Sequence, residues 1–474
     1  MEKQTLQKSK FNKVLNKKDV FALAFGAMIG WSWVTMTGEW ISGAGTLGAI
    51  LAFALGGILV LFVGFTYAEL TAAMPQCGGE HVFSFRALGK NFSFVCTWAI
   101  ILGYIGVVAF EAVAFPTVVQ YIAPNFLQGY MYTIAGFDVY ASWVAIGVIA
   151  AVFITVLNLK GAKPAAALNL ILTFTILTIG LVLMAGSAIN GSSQKLDPLF
   201  ESGFNGFLSI AVMTPFCYVG FDVIPQAAEE INIPYKKIGK ILILSIVMSV
   251  IWYSVIILAV SFVMSKGELS ASSLPTADAM KNAFFGSSLA SKILIVGGMA
   301  GIVTSWNSFF VGGSRAIYSL AESKMLPQFL AKISPKSKIP TNAVLLVGIC
   351  SCIAPFFGRS MMVWLTNAGS LAVVVAYLMV SISFLVLRKK EPEMIRPYKV
   401  KHGAFVGIMA IAMSGFMTVF YIPGMPSGLT WQECIIVGLW AILGVGFYIS
   451  AKSKYKLKFG TLEQIEYVDP AENH

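Results

Sequence analysis

The side chain best suited to chemistry sits where a charge is costly. Asp222 falls within residues 206–230, GFLSIAVMTPFCYVGFDVIPQAAEE, a run apolar enough to enter a bilayer. An ionisable residue near mid-membrane usually marks a substrate or ion path. Pro215, Gly220 and Pro225 share the run. Proline removes an amide donor and clashes with the preceding turn. In hydrocarbon, broken backbone survives only against protein or a water-filled cavity. The run therefore predicts a discontinuous helix at a binding site. The competing reading is a proline-kinked packing helix with its acid at an interface.

A second interrupted run, residues 20–41, places Gly26 and Gly30 around a weak point in the first apolar segment. Interrupted segments at corresponding positions of two halves point to a transporter site between inverted repeats. Glu111 is the other mid-segment acid. It could face a substrate or hydrogen-bond a neighbouring helix. Glu69, near the end of the second segment, reads as structural.

The elements that must hold these residues follow from composition. The chain has 474 residues, 57% hydrophobic and 12% charged, against about 25% charged in a soluble domain. At about 20 apolar residues per span, twelve helices are expected: 20–41, 47–70, 93–121, 141–158, 166–188, 206–228, 240–264, 291–320, 341–357, 361–387, 403–423 and 430–450. Long continuous runs favour helices over the alternating ten-residue strands of a barrel. The polar, lysine-rich start lacks the apolar core and cleavage site of a signal peptide.

All but five of the 33 lysines and arginines fall on one side of this topology. The five are Lys195, Lys266, Lys281, Lys292 and Arg359. Cytoplasmic loops carry the excess of positive charge, so both termini are expected in the cytoplasm of a multi-pass cell-membrane protein. That distribution accounts for the net charge of +11 without nucleic acid. The six cysteines fit no disulfide or metal framework, so no metal and no cofactor is expected. His81 and His402 lie in loops and His474 is terminal, which disfavours a histidine proton relay. Residues 75–90 predict an amphipathic helix on the cytoplasmic surface. Residues 265–290 predict short outer helices able to act as a lid.

Several motifs together resemble the amino acid–polyamine–organocation (APC) family of permeases. They are Phe25-Gly26-Ala27-Met28-Ile29-Gly30; Pro75-Gln76-Cys77-Gly78-Gly79 followed by Arg86-Ala87-Leu88-Gly89; Asn158-Leu159-Lys160-Gly161; Gly220-Phe221-Asp222 with Ala228-Glu229-Glu230 and Asn232-Ile233-Pro234; and Arg315-Ala316-Ile317-Tyr318 with Met325-Leu326-Pro327. Each is weak alone; their order and topology make the resemblance specific. It implies an all-α integral membrane protein with a LeuT-type 5+5 inverted repeat, helices 1 and 6 broken. The expected division is a tail over 1–19, a transport core over 20–387, peripheral helices over 403–450 and a tail over 451–474.

The resemblance also implies a substrate held at the two breaks. Around the first break stand Ala27, Gly30, Trp31 and Ser32; around the second, Phe216, Cys217 and Val219. Half-helix N-termini attract anions, and freed carbonyls would receive an ammonium. Trp31 and Ser32 depart from the family, which has a small residue and glycine there. Phe216 matches the family's aromatic gate, Asp222 a helix-six acid used in proton sensing, and Glu111 a helix-three glutamate of cationic amino acid members. The lysine that several members carry in helix five is missing from 169–179. Thr304 and Ser305 match the hydroxyl pair of sodium-coupled relatives; such pairs also serve as interhelical hydrogen bonds. The pocket is expected to hold acids and no fixed cation.

The function expected is a secondary active permease for neutral or cationic amino acids, proton-linked or exchanging. The alternatives are an organic amine or polyamine carrier and a sodium-coupled symporter. An enzyme is disfavoured because the spans contain no nucleophile–base set. A receptor is disfavoured because the tails are short, and a channel because no filter-like loop is present.

Overall fold

The computed structural model describes residues 9–425 and 428–462. His474, Lys3 and Lys8 lie outside them. The helices in chain order are α1 (Lys17–Met28), α2 (Ser32–Thr35), α3 (Thr37–Ala44), α4 (Thr46–Ala73), α5 (Glu80–Leu88), α6 (Lys90–Ile122), α7 (Ala141–Leu159), α8 (Ala162–Asn190) and α9 (Gly203–Met213). They continue with α10 (Val223–Gln226), α11 (Tyr235–Val263), α12 (Lys266–Ala271), α13 (Pro275–Ala283), α14 (Ser288–Glu322), α15 (Thr341–Ile353), α16 (Gly358–Lys390), α17 (Gly403–Phe420) and α18 (Trp431–Tyr455).

Among the described residues, ten helical stretches are long and apolar enough to cross a membrane. The chain is a multi-pass, mostly helical membrane protein. One stretch, Thr341–Lys390, is 50 residues long and turns at Gly358, whose φ of +69° suits glycine. Residues 17–44 are not among the ten, because their helix is interrupted at 29–31.

Burial separates centre from periphery. In α14, 78% of the most apolar window is buried against protein; in α18, 11% is. The central helix α14 packs on α1, α6 and α8, and α6 packs on α16. Local sequence sets several starts. Asn16 and Asp19 form a capping box at α1, and Thr430 and Glu433 form one at α18, each satisfying orphan amides of a first turn.

Two features depart from the sequence expectations. Helix α5 does not lie on the surface: Glu80, His81, Val82, Phe83 and Ser84 are buried. His81 and Ser84 find partners inside, which offsets much of the desolvation cost that would keep the helix out. The His81 ring nitrogens meet the Ser93 hydroxyl at 2.8 Å and the Ser323 hydroxyl at 2.7 Å. Burial lowers the His81 pKa to about 3, so the ring is neutral. The second feature is a hairpin of β1 (Tyr130–Ile134) and β2 (Phe137–Tyr140) between α6 and α7. Residues 265–290 hold the short helices α12 and α13, and Pro275 of α13 sits over Gly38 of α3.

Candidate functional site

Both interruptions occur, and they meet. The first leaves 29–31 outside regular helix between α1 and α2. In the second, α9 stops at Met213 and Pro215 enters a 3-10 turn over Thr214–Tyr218. Val219 is then extended, Gly220 takes φ +137°, and α10 begins at Val223. Glycine at 220 is required twice over. The φ is one that L side chains rarely adopt, and a Cβ there would fall 2.7 Å from the Ala27 Cβ. The broken segments therefore cross at Ala27 and Gly220.

A cavity of about 710 Å³ lies beside that crossing. Its lining includes Ala27, Gly30, Trp31 and Ser32 from the first break, Phe216, Cys217 and Val219 from the second, Glu111 from α6, and Ser305 from α14. Glu111 and Ser305 face the first break: a Cβ on Gly30 would stand 3.7 Å from Glu111 Oε1 and 3.9 Å from Ser305 Oγ. Glu111 is buried, and among the described residues its Oε2 has no hydrogen-bond partner. Trp31 faces the cavity and covers Gly298, whereas Trp33 turns into the core against Trp252, ring centroids 5.4 Å apart. Phe216 stacks edge-on against Tyr421 at 5.3 Å.

Freed backbone near the first break is partly satisfied by side chains. Tyr253 donates its hydroxyl to Met28 O at 2.9 Å and lies 3.3 Å from the Ser32 hydroxyl. Thr304 donates to Gly26 O at 3.0 Å, and Ser308 donates to Leu23 O at 2.8 Å. Thr304 thus ties α14 to α1 and is not part of the lining, while its neighbour Ser305 is.

Asp222 is also outside the lining. Its carboxyl is fully buried behind the crossing. Oδ2 accepts from the Tyr104 hydroxyl at 2.6 Å; Oδ1 accepts from the Tyr377 hydroxyl at 2.8 Å and from the Gly220 amide at 2.9 Å. The acid holds the second break to α6 and α16.

The expectation of a cavity without a fixed cation is corrected by Arg359, which is on the lining. Helix α16 starts at Gly358, so Arg359 sits in its first turn, exposed at one end of the cavity with Thr430. Glu433 lines the same end, where it accepts from Asn367 Nδ2 at 2.6 Å and the Thr430 amide at 2.7 Å. The sequence reading also missed Tyr104, Tyr253 and Tyr377, which look like ordinary core aromatics inside apolar runs. It missed an amide relay as well. Asn158 donates to Asn307 at 2.8 Å, Asn307 to Asn169 at 2.8 Å, and Asn169 to Ser308 at 2.7 Å. The relay links α7, α14, α8 and, through Ser308, α1. Polar residues repeated inside apolar helices were its only visible signal.

A separate groove of about 560 Å³ between α6, α16 and α18 is lined mainly by apolar side chains such as Trp98, Leu371 and Trp440. It offers little to a charged substrate.

The family model for amino acid permeases matches residues 15–447. The chain belongs to the amino acid permease family. It is 25% identical over 447 residues to the branched-chain amino acid permease BcaP of Bacillus subtilis, covering 92% of each chain. It is 25% identical to the methylthioribose transporter of the same organism, covering 94% of each. The histidine permease HisP of Lactococcus lactis is 25% identical over 95% of this chain and 97% of its own. The permease is thus a transporter for amino acids and not an enzyme.

Proposed function

We propose that this permease moves neutral or cationic amino acids across the cell membrane by alternating access, with proton linkage or exchange as its mode. The observation that carries the reading is the crossing of two broken spans beside a cavity containing an unpartnered, buried Glu111 oxygen. A zwitterion needs an anion site and a cation site close together. Amides released around Gly30, with the Ser32 hydroxyl, would meet the carboxylate. Carbonyls released around Phe216, Cys217 and Val219 would meet the ammonium. Glu111 would then face the side chain, favouring a cationic one and tolerating a neutral one.

The proposed architecture has twelve spans. To the ten stretches it adds the interrupted 17–44 and divides Thr341–Lys390 at Gly358. Spans one to five and six to ten form the inverted repeats of a LeuT-type core over 20–387, and 403–450 is peripheral. Both termini would be cytoplasmic, with the cavity opening outward at Arg359. A cysteine beside Lys390 should be labelled only from the cytoplasm, and one beside Lys195 only from outside; labelling of both from one side would refute the topology.

A second reading, an organic amine or polyamine carrier, is favoured by Trp31, which occupies the place of a small residue at the proposed carboxylate site. A sodium-coupled symport has less support, because the Thr304 hydroxyl is engaged by Gly26 O. Counterflow in proteoliposomes, with labelled amino acids and their decarboxylated amines, tests the choice. Equal transport of an amino acid and its amine would favour the second reading.

A further inference from the structure

Glu80 opens α5 and is fully buried. Gln226 of α10 donates its amide Nε2 to Glu80 Oε2 in a close contact. The other oxygen, Oε1, has no partner within hydrogen-bond distance among the described residues. A buried carboxylate is tolerated when it is paired or well hydrogen-bonded. Two other buried acids nearby obey that rule: Glu230 is paired with Arg315 at 2.8 Å, and Glu69 with Arg388 at 2.5 Å and Arg396 at 3.1 Å. Among the described residues, Glu80 makes no such ion pair.

The titratable groups facing it come from every packed element. They are Tyr67 of α4, Cys96 and Tyr104 of α6, Asp222 of the second break, and Tyr377 of α16. None is a cation. His81, next in sequence, is turned away to Ser93 and Ser323. The Tyr67 ring lies between, 5.6 Å from the Tyr377 ring and 6.4 Å from Phe83 of α5, and its hydroxyl has no hydrogen-bond partner. Tyr377 in turn donates to Asp222. Two buried carboxyls, neither facing a cation, thus lie on either side of the packed rings of Tyr67 and Tyr377.

We propose that Glu80 and Asp222 together form a proton-binding site that couples proton movement to transport, with Glu80 as the member nearer the lysine-rich face. This rests on the proton-linked reading of the function. Burial first, and the nearby Asp222 charge second, hold the Glu80 carboxyl well above the usual carboxylate range. Two like charges sharing one site cannot both ionise cheaply. The pair therefore holds a proton while it is sealed. The proton arrives from water and forms an O–H bond on one carboxyl oxygen. When the lysine-rich side opens, that bond gives its proton back to water and the carboxyl returns to carboxylate. Nothing is oxidised or reduced.

The test uses the full chain in proteoliposomes, with three readouts: counterflow without gradients, accumulation driven by an imposed pH gradient, and substrate-driven proton movement followed by a trapped pH dye. Glu80→Gln keeps the shape and the Gln226 contact. It should keep counterflow, because Glu80 is off the cavity, and lose gradient-driven accumulation by about tenfold or more, a difference of about 1.4 kcal/mol. The dye signal should vanish with it. Accumulation and dye signal retained in Glu80→Gln would overturn the proposal alone. A wild type with counterflow but neither proton readout would overturn the proton-linked reading and the proposal with it. If Glu80→Gln does not fold, Glu80→Asp decides. It keeps a carboxyl and should shift the pH midpoint of accumulation, the two unperturbed side chains differing by about 0.4 units, and an unmoved midpoint would overturn the proposal.

Discussion

The two ends of the permease treat buried polar groups in opposite ways. At the lysine-rich end, the acids other than Glu80 are matched. Arg315 grips Glu230 through two nitrogens at 2.8 and 3.2 Å, with side chains 1% and 3% exposed. Glu69 accepts from Arg388 and from the Val400 amide. Glu229 accepts from the Cys77 amide at 3.1 Å and the Ser9 hydroxyl at 2.8 Å. The segment before α1 adds to the seal, as the Val14 and Leu15 amides both donate to Glu230 O. At the cavity, Glu111 Oε2 is left without a partner. A polar group buried alone costs free energy, so the cavity is where a ligand has most to offer. A matched end holds itself closed; an unmatched one waits for substrate. In the proposed alternating-access cycle the matched end must come apart, so its ion pairs would report on conformational balance.

The largest effect should come from breaking the matched end. Arg315→Ala strands a buried Glu230 carboxylate, and removing one partner of a buried pair costs about 3–5 kcal/mol. The purified variant should melt many degrees lower than wild type in a thermal-shift assay, or fail to accumulate in the membrane. Arg315→Ala combined with Glu230→Gln should recover much of that loss, since the stranded charge is gone. An undiminished melting temperature in the single variant would mean that the pair adds nothing to closure.

Substitutions at the cavity should alter transport and leave the melting temperature nearly unmoved. A hydrogen bond to a charged partner contributes about 1.5–3 kcal/mol, and each 1.4 kcal/mol is about tenfold in affinity. Glu111→Gln should therefore weaken lysine or arginine by roughly tenfold relative to leucine. Equal loss for all substrates, read by competition in counterflow, would move Glu111 from the side-chain end of the pocket to a general structural role. Ser32→Ala should weaken amino acids by roughly tenfold or less and spare decarboxylated amines. The effect is limited because the hydroxyl already has a neighbour in Tyr253. Equal transport of both classes before and after the change would place the carboxylate site elsewhere.

The same contrast explains what could be read from sequence. Pro215 and Gly220 announce the second break because each has a backbone consequence whatever surrounds it. Asp222 and Glu111 stand out because charge in an apolar run is rare. Arg359 lies two residues before the expected span, and the helix starts three residues earlier than expected, at Gly358. Tyr104 and Tyr377 carry no such mark: nothing in an apolar run tells a tyrosine that donates to Asp222 from one that packs. Glu80 was hidden for another reason. A polar loop after a span reads as surface, and its burial depends on Gln226 arriving from 146 residues away. The pattern of β1 and β2, YMYTI and FDVY, is too short to outweigh the long apolar runs on either side.

The smallest expected effect separates the acids within the matched end. Glu229 has amide and hydroxyl donors, whereas its neighbour Glu230 has a guanidinium. Burial raises the Glu229 pKa to about 7, although the Cys77 amide and the Ser9 hydroxyl pull it down. The folded protein therefore holds this proton more tightly than the unfolded chain, where a glutamate titrates near ~4.3. Its contribution to stability is fully present below that value and is lost as pH rises through about 7. Glu229→Gln is neutral at every pH and removes the titration. The variant's melting temperature should fall less steeply than that of wild type between ~pH 5 and ~pH 8, with the two proteins closest at the acid end. Parallel curves across that window would show that the slope belongs to another group and that Glu229 is as well matched as Glu230.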